Sequence, residues 1–319
     1  MVDVAVVGAG VMGANHVRIL RQLPDVRITF VADSNGARAG ALAKSVGATA
    51  ATDTRDVVGR VDAAVVAVPT ELHADVTCRL LEGGAHVLVE KPMASSVADA
   101  ERMLDAAASA RRILQVGHVE RFNPAVLELD HLVRDLIHLD FARISPFSGR
   151  TSDGVIVDLM THDLDLACAL ADSPVEHVHA VARRIRSLTE DHASALLEFA
   201  NGITATLIAS RIGQNKIRTV SLTQRDNYVH LDLLRQDVTV TRVEHAEFLS
   251  DEGMRYRQSG VVEVPFLEHR GEPLFLELQH FVECTRTMQQ PRVSGEDGLR
   301  ALQLAQRVLT AAAEHGPFG

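Results

Sequence analysis

The feature that most constrains this chain is its opening. An apolar run, Asp3-Val4-Ala5-Val6-Val7, leads directly into Gly8-Ala9-Gly10-Val11-Met12-Gly13, and a helical pattern follows over residues 11–23. A strand that turns into a helix through glycines spaced G-x-G-x-x-G is the arrangement by which a βαβ unit seats a dinucleotide. Gly8 permits the tight turn, Gly10 lets the backbone approach a pyrophosphate, and Gly13 lets helix and strand pack closely. The helix N-terminus, which carries Val11 and Met12, offers free N–H groups and a positive dipole end to phosphate oxygens. Alone, the pattern also fits a glycine-rich turn; the strand before it and the helix after it favour the dinucleotide.

Asp33 stands twenty residues past Gly13, at the end of a second β-like run over 26–33. An acid there accepts hydrogen bonds from the adenine ribose and repels a 2′-phosphate, so NAD is expected ahead of NADP. Arg38, five residues on, would soften that preference. The competing reading of Asp33 is a cap for the next helix.

Further Val/Ala-rich runs at 62–68, 86–91 and 113–118 alternate with helical patterns at 36–46, 71–83 and 96–111. Such alternation predicts a doubly wound parallel sheet covered on both faces. The pattern changes after residue 118. Helical stretches at 123–136 and 155–170 precede β-like runs at 174–186, 191–199, 202–211, 217–224, 228–234 and 237–243, with Asn201-Gly202 reading as a hairpin turn. Helical patterns at 272–288 and 296–313 end the chain. The expected fold is α/β, with a Rossmann domain over 1–118. An α+β domain with an open antiparallel sheet follows over 119–319, and the last helix returns to pack on the first domain.

Composition narrows the function. With 32 Lys+Arg against 42 Asp+Glu, the net charge is −10, which disfavours nucleic acid as a partner. No apolar run approaches the ~18 residues a membrane span needs, and the opening run reads as a strand rather than a signal peptide, so a cytoplasmic protein is expected. Cys78, Cys168 and Cys284 lie far apart with no C-x-x-C pair, so no metal is expected and the thiols read as buried and free.

Val89-Glu90-Lys91-Pro92 ends one predicted strand, and Asp158-Leu159-Met160-Thr161-His162 lies on the helical stretch 155–170. Together with Ser294-Gly295-Glu296-Asp297-Gly298, these segments resemble the glucose–fructose oxidoreductase/inositol dehydrogenase family. The resemblance implies that Lys91 reaches nicotinamide and substrate, that a cis bond precedes Pro92, and that Asp158 and His162 form the pair at the substrate cleft. Met160 stands where family members often have glycine. A narrower likeness, to the family's UDP-N-acetylglucosamine 3-dehydrogenases, is carried by Val116-Gly117-His118-Val119-Glu120-Arg121-Phe122-Asn123-Pro124 and Ser145-Pro146-Phe147-Ser148-Gly149-Arg150. It implies NAD-dependent oxidation of a sugar 3-hydroxyl, while the broader family resemblance implies a homodimer or homotetramer.

Hydride removal from an alcohol requires a group that takes the hydroxyl proton and one that stabilises the developing alkoxide. An imidazole titrates near ~6.5, which suits His162 as base, with Asp158 four residues earlier to orient it. Lys91 is then the electrostatic partner, although the residues alone leave the proton acceptor open between the two. Glu90 reads as a helix cap or a partner for a cation. Pro69 and Thr70 belong to the loop expected to cover the nicotinamide side, with Thr70 placed to cap the following helix, and His73 reads either as part of that cofactor site or simply as a first-turn helix residue. His118 and Arg121 are candidates to meet a sugar or its phosphate, or else to hold the contact where the domains join; Arg150, Arg211 and Lys216 could meet a diphosphate or stand as solvated charges, and Asn123 is placed to cap a helix. Tyr228 and Tyr256 lack a Lys four residues on, which excludes the short-chain dehydrogenase arrangement. Three rivals remain: a dehydrogenase or reductase of another nucleotide sugar, keto-sugar or inositol, a dinucleotide sensor without catalysis, and a hydrolase using tightly held NAD.

Overall fold

The computed structural model describes residues 1–147, 153–250 and 253–314. The chain begins β1 (Val2–Val7), α1 (Val11–Leu20), β2 (Val26–Ala32), α2 (Gly36–Lys44), β3 (Thr49–Ala51), β4 (Ala63–Val66), α3 (His73–Glu82), β5 (His86–Glu90), α4 (Val97–Ala110) and β6 (Leu114–Gly117). A 3-10 turn, Val119–Phe122, leads to α5 (Pro124–Leu127), α6 (Leu129–Leu132), β7 (Leu136–Ile144) and, after a π-helical turn at Ile156–Met160, α7 (Thr161–Ala171). There follow β8 (Val175–Arg183), β9 (His192–Phe199), β10 (Thr204–Ser210), β11 (Ile217–Gln224), β12 (Asn227–Asp232), β13 (Asp237–Ser250) and β14 (Gly253–Glu263). The helices α8 (Pro273–Thr287) and α9 (Gly295–Glu314) come last.

Two compact units result. One joins Met1–Phe122 to Gly271–Gln303, and the other joins Asn123–Arg270 to the chain from Leu304 onward. Among the described residues, the first unit holds a parallel sheet in the order β3-β2-β1-β4-β5-β6. Both of its faces are apolar because side chains alternate along each strand. Ala5, Val7, Val87 and Val89 face the layer of α3 and α4. Val4, Val6 and Leu88 face the opposite layer, where Val17 and Leu20 of α1 meet Leu278 and Phe281 of α8. This is the doubly wound fold expected from the sequence, and its strand order reverses between β1 and β4, where such folds bind ligands.

The second unit holds a sheet in the order β14-β13-β12-β11-β7-β10-β9-β8. Its pairs are antiparallel except β10 with β7, which run parallel. The hairpin expected at Asn201-Gly202 joins β9 to β10, with Gly202 at φ +85°. One face is covered by α7 and the later turns of α9, through Leu164, Ala167, Leu304 and Val308. Two strands of this sheet escape the sequence reading, as does the three-residue edge strand β3 of the first sheet. At β7, the expected helix over 123–136 stops after α6, and a strand begins where Asp135 takes φ +46°. Leu139 and Phe141 face the core alternately with polar residues, but Arg143 occupies the next inward position and disguises the pattern. The other is β14, the partner of β13.

Arg143 is buried because Asp163 of α7 meets it. Its Nε and Nη2 donate to the carboxylate at 2.7–3.1 Å, with side chains 3% and 4% exposed. Removing one partner strands the other charge, at a cost of about 3–5 kcal/mol. Asp163→Ala is therefore expected to lower the urea midpoint of the second unit substantially. An unchanged midpoint would show that the pair contributes nothing net.

Candidate active site

The glycine loop behaves as its spacing implies. Gly8 sits at φ +103°, and a Cβ there would lie 2.2 Å from the Ala67 carbonyl oxygen. A Cβ on Gly13 would lie 1.8 Å from the Gly8 oxygen, so only glycine lets α1 pack so close to β1. Gly10 differs: a Cβ there would meet nothing within 4 Å. It occupies the N-cap of α1 with no side-chain cap, and Val11 beside it is 82% exposed. The first-turn N–H groups of α1 thus face open space at the switch point of the sheet. A pyrophosphate fits that cradle by charge and by room.

Asp33 ends β2 beside this loop. Its Oδ2 accepts from Ala9 N–H at 2.7 Å, and its Oδ1 accepts from Asn35 N–H at 2.8 Å and from Arg38 Nη2 at 3.2 Å. Burial pushes its carboxyl up, but these N–H groups and the Arg38 guanidinium outweigh it and hold Asp33 below the ordinary range. It does not cap α2; Asn35 does, accepting from Ala37 and Arg38 N–H. Asp33 is thus an ionised acid tied to the glycine loop, suited to ribose hydroxyls. Asp33→Ala is expected to weaken NAD binding about tenfold and narrow its lead over NADP. Titrating both dinucleotides against the variant tests this, and an unaltered ratio would remove Asp33 from cofactor choice.

Next to the loop, Pro69 is exposed, and Thr70 opens a 3-10 turn, Thr70–Leu72. The cap expected of Thr70 is not formed: Leu72 holds the N-cap of α3, without a side-chain bond, because the extra turn intervenes. His73 is 1% exposed, and its ring nitrogens lie 2.9 Å from Val68 O and 3.0 Å from Pro92 O. It ties the loop after β4 to the loop after β5. There the Lys91–Pro92 bond is cis, as the resemblance implied. Lys91 is half-buried and next to Glu90, whose Oε1 lies 2.7 Å from His16 Nε2. Burial pushes the Glu90 carboxyl up, yet the His16 ring and the Lys91 ammonium outweigh it and hold it below the usual range. Glu90 caps no helix; its partner is a histidine on α1 that sequence reasoning missed. The available signal was a histidine at a position that packs inward on α1, beside Val17 and Leu20.

His118 is buried after β6, and Arg121 Nη2 stands 3.6 Å from Asp297 Oδ1. Burial pushes Asp297 up, but its Ser294 bonds and the Arg121 and Arg300 guanidinium groups hold it low.

In the second unit, the helix expected over 155–170 is broken in pitch. Thr161 N–H bonds to Ile156 O, five residues back, and Thr161 Oγ1 donates to Ile156 O and Val157 O at 3.1 and 2.8 Å. Asp158 and His162 therefore straddle the change from π turn to α7, a local irregularity frequent at functional sites. Asp158 Oδ2 accepts from Arg211 Nη2 at 3.2 Å, and Arg211 Nη1 donates to Asp153 O at 2.7 Å. Arg211, a candidate for a phosphate, is thus engaged with Asp158, while Lys216 is exposed. His162 is half-buried and Asp165 fully buried. Asn123 caps α5, accepting from Ala125 N–H at 3.1 Å. Arg150 lies outside the described residues.

Among the described residues, no helix is long and apolar enough to cross a membrane. Comparison with known proteins agrees with the geometry of the glycine loop. A family profile described as an oxidoreductase family with an NAD-binding Rossmann fold matches residues 2–118, and one described as a GFO/IDH/MocA C-terminal domain matches residues 137–223. UDP-N-acetylglucosamine 3-dehydrogenase of Acidithiobacillus ferrooxidans is 29% identical over 74% of this chain and 75% of its own length. Inositol 2-dehydrogenase 2 of Paenarthrobacter aurescens is 27% identical over 99% of this chain and 97% of its own. A solved structure of the Acidithiobacillus ferrooxidans enzyme superposes with a TM-score of 0.88 at 27% identity, covering 98% of each chain. With a nucleotide cradle at its switch point and both domains of one family in sequence, this chain belongs to the GFO/IDH/MocA oxidoreductases and is an NAD-dependent enzyme.

Proposed function

We propose that this enzyme oxidises the 3-hydroxyl of UDP-N-acetylglucosamine. The observation that carries this choice is the likeness, over 98% of both chains, to an enzyme named for that reaction. The segment Val116–Pro124 supports it. Bound NAD supplies the carbon that receives the hydride. The N–H groups at the start of α1 and the space over Gly10 hold its pyrophosphate, and Asp33 holds its adenine ribose. The Lys91 ammonium stabilises negative charge on the sugar oxygen as the proton departs. The His162 imidazole takes that proton, and Asp158 supports the imidazolium that results. His73 acts through position, since its ring fixes the loop that carries Lys91. His118, Arg121 and Arg150 are proposed to meet the substrate.

A second reading, oxidation of an inositol, is favoured by the likeness to the inositol enzyme across 99% of this chain. Absorbance at the NADH band, with NAD and a panel headed by UDP-N-acetylglucosamine, separates them. A rise with the nucleotide sugar is the expected result. A rise with inositols or free sugars alone would overturn the substrate choice, and NAD binding without turnover would favour a sensor.

A further inference from the structure

One layer of the first unit contains polar groups that the reaction above does not use. Leu88, Ile113, Leu278 and Phe281 build its apolar body. Leu88 pairs with Gln115 across β5 and β6, and Glu90 lies two residues past Leu88, so Gln115 and Glu90 project into the same layer. His16 enters it from α1, and Glu277 from α8. His16 and Glu277 are both 0% exposed. Both carboxyl oxygens of Glu277, Nδ1 of His16 and both amide atoms of Gln115 are buried without a hydrogen-bond partner. Buried polar atoms are rarely left so, and polar groups that share one layer without touching are commonly bridged by an internal water.

The atoms are complementary. A neutral imidazole whose Nε2–H donates to Glu90 has a bare acceptor at Nδ1. A carboxylic acid buried among apolar side chains carries an O–H that needs an acceptor. We propose that Glu277 is a positioning residue: its carboxyl O–H donates to Nδ1 of His16 through one internal water, so that Nε2–H of His16 is presented to the Glu90 carboxylate beside Lys91. This inference rests on the role given to Lys91 above. Glu90 in turn accepts from the Lys91 backbone N–H at 3.3 Å, so the chain of bonds ends on the residue whose ammonium faces the reaction. Without the Glu277 donor the imidazole proton is free to move to Nδ1, and Nε2 and Glu90 Oε1, 2.7 Å apart, become two opposed acceptors. Glu90 or His16 must then take up a proton, and the charge beside Lys91 changes.

The charged and titratable groups on the elements that pack with Glu277 have their own partners. Arg18 on α1 pairs with Glu272, and Arg121 pairs with Asp297. On α8 itself, His280 accepts from the Arg292 N–H at 2.9 Å, and Arg286 pairs with Glu283 and Asp25, while Glu120 lies on the turn before α5. Burial, and then the Glu90 charge, push the Glu277 carboxyl well above its ordinary 4.5. The folded state therefore keeps this proton where the unfolded chain has lost it. Its contribution to stability is complete below pH 4.5 and is lost as pH rises towards the folded value. The amide of Glu277→Gln does not titrate, so this variant's melting temperature should exceed that of the natural enzyme by a margin that grows with pH.

The test uses the full chain without substrate, so that it does not depend on turnover. The infrared spectrum of the enzyme minus that of E277Q should show the C=O stretch of a protonated carboxylic acid. Nitrogen-15 spectra should show His16 protonated at Nε2, with that tautomer lost in E277L and kept in E277Q. In turnover, E277L should lose about tenfold in kcat and shift the acid limb of its pH profile, while KM for NAD holds. E277Q, which keeps an N–H donor, should recover most of that loss. No protonated-carboxyl band, or an E277L variant with the natural tautomer and pH profile, would overturn the proposal. If band and tautomer behave as stated but no sugar is oxidised, the functional reading fails and the hydrogen-bonded chain stands.

Discussion

Lys91→Met is expected to lower kcat about 10²–10³-fold, the range for removing one preorganised donor from a developing oxyanion. Methionine keeps the length and apolar stem of the side chain and removes only the charge. NAD affinity, read by titration without sugar, should change little, because the cradle is built from Gly10, the start of α1 and Asp33. His162→Asn should cost about 10²–10⁴-fold, the typical contribution of a general base. If His162 is the base, raising the pH should partly restore turnover in that variant, since solvent then accepts the proton more readily. Full activity in either variant removes that residue from the mechanism.

Gly10→Val is expected to abolish measurable NAD binding while leaving the fold intact. Nothing lies within 4 Å of the position its Cβ would take, so the apoprotein loses no packing. The added isopropyl group fills the space the pyrophosphate needs. NAD stabilises any protein whose folded state binds it, by about 2.7 kcal/mol at a hundred times Kd, and so raises its melting temperature. The natural chain should show this rise, and Gly10→Val should not. Gly13→Val provides the contrast: its Cβ would stand 1.8 Å from backbone, and the unit should not assemble. A Gly10→Val protein that still gains stability from NAD would place the pyrophosphate elsewhere.

What the sequence made legible follows from the range of the interactions involved. The glycine loop and Asp33 are defined by spacing within a single βαβ unit, and their geometry came out as the local chemistry requires. The cis Lys91–Pro92 bond was legible only through the family resemblance. Asn35 displaced Asp33 as a cap, and Leu72 displaced Thr70, because a one- or two-residue shift of a helix start is decided by turns that spacing does not encode. Arg143, His16 and Glu277 were opaque for a different reason. Each is a polar residue at an inward position, tolerated only by a partner or layer far away in sequence. Asp163 lies twenty residues from Arg143, Glu90 lies 74 from His16, and Glu277 follows after the whole second sheet. The strand β7 went unseen through the same cause, since its inward row ends in a charge.

The helix α8 has a consequence for how the protein is made. The layer that backs Val4, Val6 and Leu88 includes Leu274, Leu278, Phe281 and Val282, which leave the ribosome only after both strands of the hairpin β13–β14. Until then the nascent nucleotide-binding unit exposes part of one sheet face as bare hydrocarbon, a surface that invites aggregation or chaperone capture. Birth order and folding order thus diverge: the first segment translated is among the last to be sealed.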